Sequence, residues 1–160
     1  LYQNFKNHKH IVAVSKHLCG SATDLTLRCL TKYHLERLTV MPPLATPPLS
    51  GIIIALCCHQ RCQWDSIYGI ELWKELGFNS IDFHLITLMS SWAVCGQRSA
   101  DKDTKGYIPH AKEPMGLKCK ELINLIRVHE LRKNGFQTHL LYYVDRRTSL
   151  ENVLLIALPH

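Results

Sequence analysis

An α/β fold follows from three features of this 160-residue chain. Two short apolar runs each end in a polar tip, an amphipathic stretch follows each tip, and near the end the hydrophobic period changes to two. The run Ile11-Val12-Ala13-Val14 is short and continuous, as expected of a strand buried on both faces, with Lys16 and His17 emerging at its carboxyl end. Gly51 to Cys58 has the same design, and its length and β-branched content predict a second buried strand, with His59-Gln60-Arg61-Cys62 as its polar tip. The crevice outside such strand ends is where open α/β sheets bind ligands.

The elements follow in order. Ser21, Thr23 or Asp24 can cap a helix whose apolar face is Ala22, Leu25, Cys29 and Leu30, ending near Tyr33. Residues 34–50 contain Pro42-Pro43 and Pro47-Pro48 and are expected to be a loop, since proline neither continues a helix nor serves a central strand. Tyr68 to Leu76 is a predicted helix stopped at Gly77, with Leu72, Trp73 and Leu76 on its buried side. Ile81 to Met89 fits either a strand or a helix, and Ser90 to Gly96 either a structured loop or a helix start. Residues 97–113 are polar and aperiodic, and a second loop is expected there. Pro114 suits a first helical turn, and Leu117, Leu122, Ile123, Ile126 and Leu131 predict a long amphipathic helix stopped by Asn134-Gly135. Phe136 to Val144 and Asn152 to Leu158 are predicted strands joined by the polar segment Asp145 to Glu151, an antiparallel hairpin.

Composition bounds the function. A chain of this size with 46% hydrophobic residues suits one core, so a single domain or part of one is expected. No opening signal-peptide pattern and no apolar run of roughly 20 residues is present, so an intracellular location, nucleus or cytoplasm, without a membrane partner is expected. Seven cysteines without a secretory signal are expected as reduced thiols, mostly small core residues. The net charge of +6 favours a polyanionic partner, and Lys102, Lys105, Lys112, Lys118 and Lys120 are candidates for a basic surface that binds phosphates; a solvated loop is the plain alternative.

Cys57-Cys58-His59-Gln60-Arg61-Cys62 offers residues that zinc prefers. Adjacent strand residues point to opposite faces, so Cys57 and Cys58 are not expected to share one ion, and no metal is predicted. That argument leaves a buried Cys57 and a site-lining Cys58 and His59. Cysteine nucleophiles at Cys19 or Cys58 are disfavoured for a similar reason, because the side chains of sequence neighbours diverge. Lys16 and His17 have a bland alternative as a loop cation and a structural histidine. Two successive tips rich in cations, His and Cys favour a site instead.

Parallel strands connected by helices and closed by an antiparallel hairpin match the carboxyl-terminal half of a Rossmann-like S-adenosylmethionine-dependent methyltransferase sheet; a generic doubly wound fold fits the first part almost as well, and the hairpin favours the former. The chain also closely resembles the tRNA:m4X modification enzymes, a family of tRNA 2′-O-methyltransferases acting on nucleotide 4 of the acceptor stem. Four blocks carry the resemblance: Ser15 to Gly20 with Ala22 to Leu25; Ala55 to His59 with Arg61-Cys62; Ser90 to Ala93 with Cys95-Gly96; and Ser149 to Leu155.

The resemblance implies methyl transfer from S-adenosylmethionine to a ribose hydroxyl of tRNA. It makes residues 1–160 a partial methyltransferase domain. Lys16 is then the candidate for stabilising the oxyanion, and His17 and His59 for accepting the proton. Cys19 and Gly20 are candidates for touching the cofactor, and Arg61, Lys118 and Lys120 for contacting tRNA. The family's zinc-binding modules have no counterpart in this sequence, and no Gly-x-Gly loop is present. Gln60 stands where the family has a second histidine, and Asn124, Ile126 and Glu130 replace Asp, Gly and Tyr. An inactive isolated fragment is therefore expected, with a non-catalytic tRNA-binding or scaffold remnant as the alternative.

Overall fold

A computed structural model describes residues 10–39, 48–94 and 109–160, with the side chains of 109–111 left aside. Its sheet has four strands: β1 (Ile11–Lys16), β2 (Leu49–Leu56), β3 (Phe136–Tyr142) and β4 (Val153–Pro159), in the order β1-β2-β4-β3. The first pair is parallel, with Lys16 beside Ala55, and β4 lies antiparallel between β2 and β3. The α/β class and the closing antiparallel hairpin are therefore as expected.

Helix α1 (Ser21–Thr39) runs past the expected stop at Tyr33, so residues 34–39 are helical, and 49–50 already belong to β2. The rest of the expected first loop, 40–47, lies outside the described residues. Helix α2 (Ile70–Glu75) starts later than Tyr68, after Gly69 turns the chain at φ 82°. The ambiguous segment is helix α3 (Ser80–Ser90): Asn79 accepts from the backbone N–H of Ile81 and Asp82, and Asp82 accepts from that of Asn79. This capping box decides between the alternatives, because a strand has no use for it. Helix α4 (Pro109–Lys133) begins five residues before Pro114, which is interior, so 109–113 is not a loop. Residues 97–108, with Lys102 and Lys105, lie outside the described residues, as do Cys95 and Gly96.

Two hydrophobic clusters result. Leu27, Ile52, Ile54, Leu56, Leu131, Phe136 and Leu155 pack α1 and α4 onto one face of the sheet. Trp73, Phe83, Ile86, Ile123 and Ile126 join α2, α3 and α4, with Trp73 edge-on to Phe83 at 5.1 Å between centroids. The expectation that β1 is buried on both faces fails. Val12 and Val14 are 52% and 71% exposed, because the described helices cover only the face carrying Ile11 and Ala13. The buried stripe of α1 also differs from the apolar one expected. It consists of Thr23, Asp24, Leu27, Thr31 and His34, while Leu25 and Cys29 face outward. A carboxylate can lie there because α4 supplies its partner, as described below.

Candidate functional site

Because β1 and β2 are parallel, their carboxyl ends meet at one rim of the sheet. β4 starts there and β3 ends there, with Val153 opposite both Leu56 and Tyr142. The rim therefore gathers the tip after Lys16, the tip after Leu56 and the 143–152 connection.

Both tips are conformationally strained. Among the described residues, two non-glycine residues have positive φ: His17 at 64° and Cys58 at 51°. Each such residue costs on the order of 1–3 kcal/mol, and strain of this kind concentrates where geometry serves a function. The tips are also fastened to each other. The Ser21 hydroxyl donates to the Arg61 carbonyl at 3.2 Å. Gly20, at φ 53°, lies so close to Arg61 that a Cβ on it would be 2.5 Å from the Arg61 Cβ and 2.6 Å from its carbonyl carbon. Only glycine serves both the conformation and the approach. Ala22 and Thr23 donate their N–H groups to the carbonyls of Cys19 and Gly20, and the Thr23 hydroxyl closes the turn onto Leu18.

The first tip is open: Lys16 and His17 are both exposed. The second is anchored in the interior. His59 is 1% exposed, and its Nε2 lies 2.8 Å from the Asn124 Oδ1, which fixes that nitrogen as the donor. Its Nδ1 has no hydrogen-bond partner among the described residues. Burial, then the nearby charges of Arg127 and Lys120, push its pKa well below the ordinary 6.5, against the opposing effect of the Asn124 bond. A neutral ring buried in this way does not meet an external hydroxyl. Its burial does not suit the proton-acceptor role expected of His59.

Behind His59 lies a charged network that joins α1, α4 and the second tip. The Arg127 Nε donates to Asp24 Oδ1 at 2.8 Å and its Nη2 to Asp24 Oδ2 at 2.7 Å, with both side chains at most 1% exposed. Nη2 also lies 3.1 Å from the Cys62 Sγ, and Asp24 accepts the Tyr68 N–H. Burial alone would lower the Arg127 pKa, and the Asp24 carboxylate outweighs it and holds the guanidinium charged. The sequence marks Asp24 as a candidate helix cap and as part of the first resemblance block, with no sign of its buried partner, and the burial of Asn124 and Arg127 carries no sequence signal beyond a polar residue on an apolar face.

Lys120 is corrected as well. It is 4% exposed, and its ammonium donates to the Leu150 carbonyl at 2.8 Å and the Ala93 carbonyl at 3.2 Å. It also pairs with Glu151 at 3.1 Å. The ammonium thus holds the 143–152 connection to α4 and is unavailable to an external phosphate. Lys118, two residues earlier, is exposed, as is Arg61. Lys112 lies over the Trp92 ring at 5.4 Å. The rim carries two further arginines that sequence reasoning passed over, Arg146 and Arg147, both exposed.

Cys57 and Cys58 do not obey the alternation expected of them. β2 ends at Leu56, and the left-handed turn at Cys58 brings its thiol to the same side as that of Cys57. With Cys19 they form a group of three sulfurs all within 4.8 Å of one another, Cys19 and Cys57 being 3.6 Å apart. Burial, followed by the contact with Cys19, pushes the Cys57 thiol up to about 12, and burial raises that of Cys58. Protonated thiols are poor nucleophiles, which disfavours Cys57 and Cys58 as nucleophiles at neutral pH.

A family model described as Methyltransferase TRM13 matches residues 1–158. The chain belongs to the TRM13 methyltransferase family. It is 34% identical over 213 residues to the Homo sapiens protein named tRNA:m(4)X modification enzyme TRM13 homolog, an alignment covering 94% of this chain and 44% of that protein. It is 38% identical to the TRM13 protein of Schizosaccharomyces pombe, with 96% and 41% covered, and 39% identical to that of Yarrowia lipolytica, with 89% and 34% covered. The chain thus spans less than half the length of these relatives. No solved structure matches it. Among the described residues no helix is long and apolar enough to cross a membrane.

A TRM13 methyltransferase implies S-adenosylmethionine as the methyl donor. Among the described residues, those at the two tips do not form a site for it. The sequence has no Gly-x-Gly, and Gly20, the glycine of the first tip, is packed against Arg61 instead of leaving room for a ligand.

Proposed function

We propose that this chain supplies the acceptor side of an S-adenosylmethionine-dependent tRNA 2′-O-methyltransferase acting at position 4 of the acceptor stem. On this reading its sheet is the carboxyl-terminal half of a Rossmann-like domain. The observation that carries the reading is the pair of strained tips on adjacent parallel strands, in a chain of the TRM13 family. The donor would supply the methyl group; Gly20, expected with Cys19 to touch it, is packed against Arg61, and neither is assigned to binding it.

The exposed tip performs the acceptor chemistry. A ribose hydroxyl becomes a better nucleophile as its proton leaves, and a fixed ammonium stabilises the negative charge that develops on the oxygen. Lys16 provides that ammonium and His17 accepts the proton. The left-handed backbone at His17 turns the chain directly after Lys16 and so keeps the two on one short tip. His59 contributes indirectly, holding the second tip against α4. Arg61, Lys118, Arg146 and Arg147 contact backbone phosphates, which orients the stem without reading its sequence.

The test is made in a longer family protein that carries these residues. Lys16→Ala should lower the methylation rate about 100-fold, as loss of one fixed donor to an oxyanion does, with little change in tRNA affinity. Lys118→Ala should instead weaken binding and reduce the salt dependence by about one phosphate contact. Near-normal methylation by Lys16→Ala would end the reading. The isolated chain is a poor candidate for turnover, and the lack of a glycine cradle favours a second reading, a tRNA-binding or scaffold role without catalysis. Activity in the longer protein separates the two: methylation that falls with Lys16→Ala argues for catalysis, and methylation unchanged by Lys16→Ala while Lys118→Ala weakens tRNA binding argues for the scaffold.

A further inference from the structure

From the three-sulfur group at the joined tips, we propose that Cys19, Cys57 and Cys58 form a zinc site, with three thiolate ligands and a fourth position toward solvent. The spacing fits the ion. A tetrahedral centre with zinc–sulfur bonds of about 2.3 Å places its sulfurs about 3.8 Å apart. Cys19 and Cys57 are separated by 3.6 Å and all three atoms lie within 4.8 Å, so small side-chain rotations suffice. All three residues are half-buried, which leaves one side of the ion open.

The site is preorganised, although its ligands come from residues 38 apart. The Gly20–Arg61 contact and the Ser21–Arg61 hydrogen bond hold the two tips in register. The left-handed Cys58 has an explanation in this site: extended backbone there would send the third sulfur to the opposite face of the sheet. Zinc replaces the three thiol protons, which pass to solvent, and no redox change is involved. Cys62 is not a ligand, because its sulfur faces Arg127 in the buried network.

The probe is Co²⁺, then Zn²⁺, titrated into the purified reduced 160-residue chain. One Co²⁺ per chain should bind with an intense thiolate-to-metal charge-transfer band and tetrahedral visible bands, and Zn²⁺ should displace it. In the unsubstituted chain, bound Zn²⁺ should protect Cys19, Cys57 and Cys58 from alkylation, mapped by mass spectrometry, while exposed Cys29 stays reactive. Cys19→Ser, Cys57→Ser and Cys58→Ser should each weaken zinc by more than the about 10- to 100-fold typical of losing an outer partner of a metal ligand, and Cys29→Ser should not. Absence of the charge-transfer band, or alkylation of the three cysteines unaffected by zinc, would overturn the site. The protection pattern is read on the unsubstituted chain, so a variant that fails to fold does not obscure the answer.

Discussion

The two strand tips are similar in composition and opposite in construction. After β1, Lys16 and His17 stand in solvent, held from behind by a glycine contact and a few turn hydrogen bonds. After β2, His59 and Cys62 are drawn into the core, where Asn124 and Arg127 receive them. Each tip contains a non-glycine residue in the left-handed region, so neither is relaxed. On the proposed reading the difference separates two tasks: one tip presents reactive groups, and the other fixes the position of the first.

Removing the anchor should have the largest effect. Asp24→Asn or Arg127→Met alone leaves a buried partner uncompensated and should lower unfolding free energy by about 3–5 kcal/mol, read from denaturant midpoints. The combined Asp24→Leu/Arg127→Met variant should recover much of that loss, since an apolar pair of similar volume avoids desolvating two charges. A double variant no more stable than either single one would show that the network is needed for packing and not only for charge balance. Next in size is the joint between the tips. Gly20→Ala meets Arg61 backbone at 2.6 Å and retains an unfavourable φ, so a loss of about 2–4 kcal/mol is expected. In a longer family protein the same change should reduce methylation while leaving tRNA binding largely intact.

How much of this was legible in the sequence differs between the tips for physical reasons. The apolar runs, their polar ends and the closing hairpin follow from periodicity, and the sheet has them. The exposed tip was legible too, because a charged residue after a strand end needs no partner. The anchored tip was not. Its burial depends on Asp24 meeting Arg127 across 103 positions, and no local pattern reports such a pair. The same blindness affected Lys120, placed on the surface by its charge and found buried beside Glu151. The cysteines escaped because the alternation argument assumes that the strand continues through Cys58, whereas it ends at Leu56.

The smallest expected effect gives the sharpest comparison of the two histidines. His59 has its folded pKa depressed below the unfolded 6.5, so its contribution to stability is present above that pH and is lost as pH falls toward the folded value. Below about pH 6.5 the loss should grow as pH falls, by at most about 1.4 kcal/mol per pH unit for one group kept neutral. His59→Gln should remove that pH dependence, at a constant penalty from disturbed packing around Asn124. His17→Gln, whose ring is in solvent, should change the unfolding midpoint little and should instead lower methylation in a longer family protein. If the two substitutions moved the same property, the division between a presenting tip and a positioning tip would be wrong.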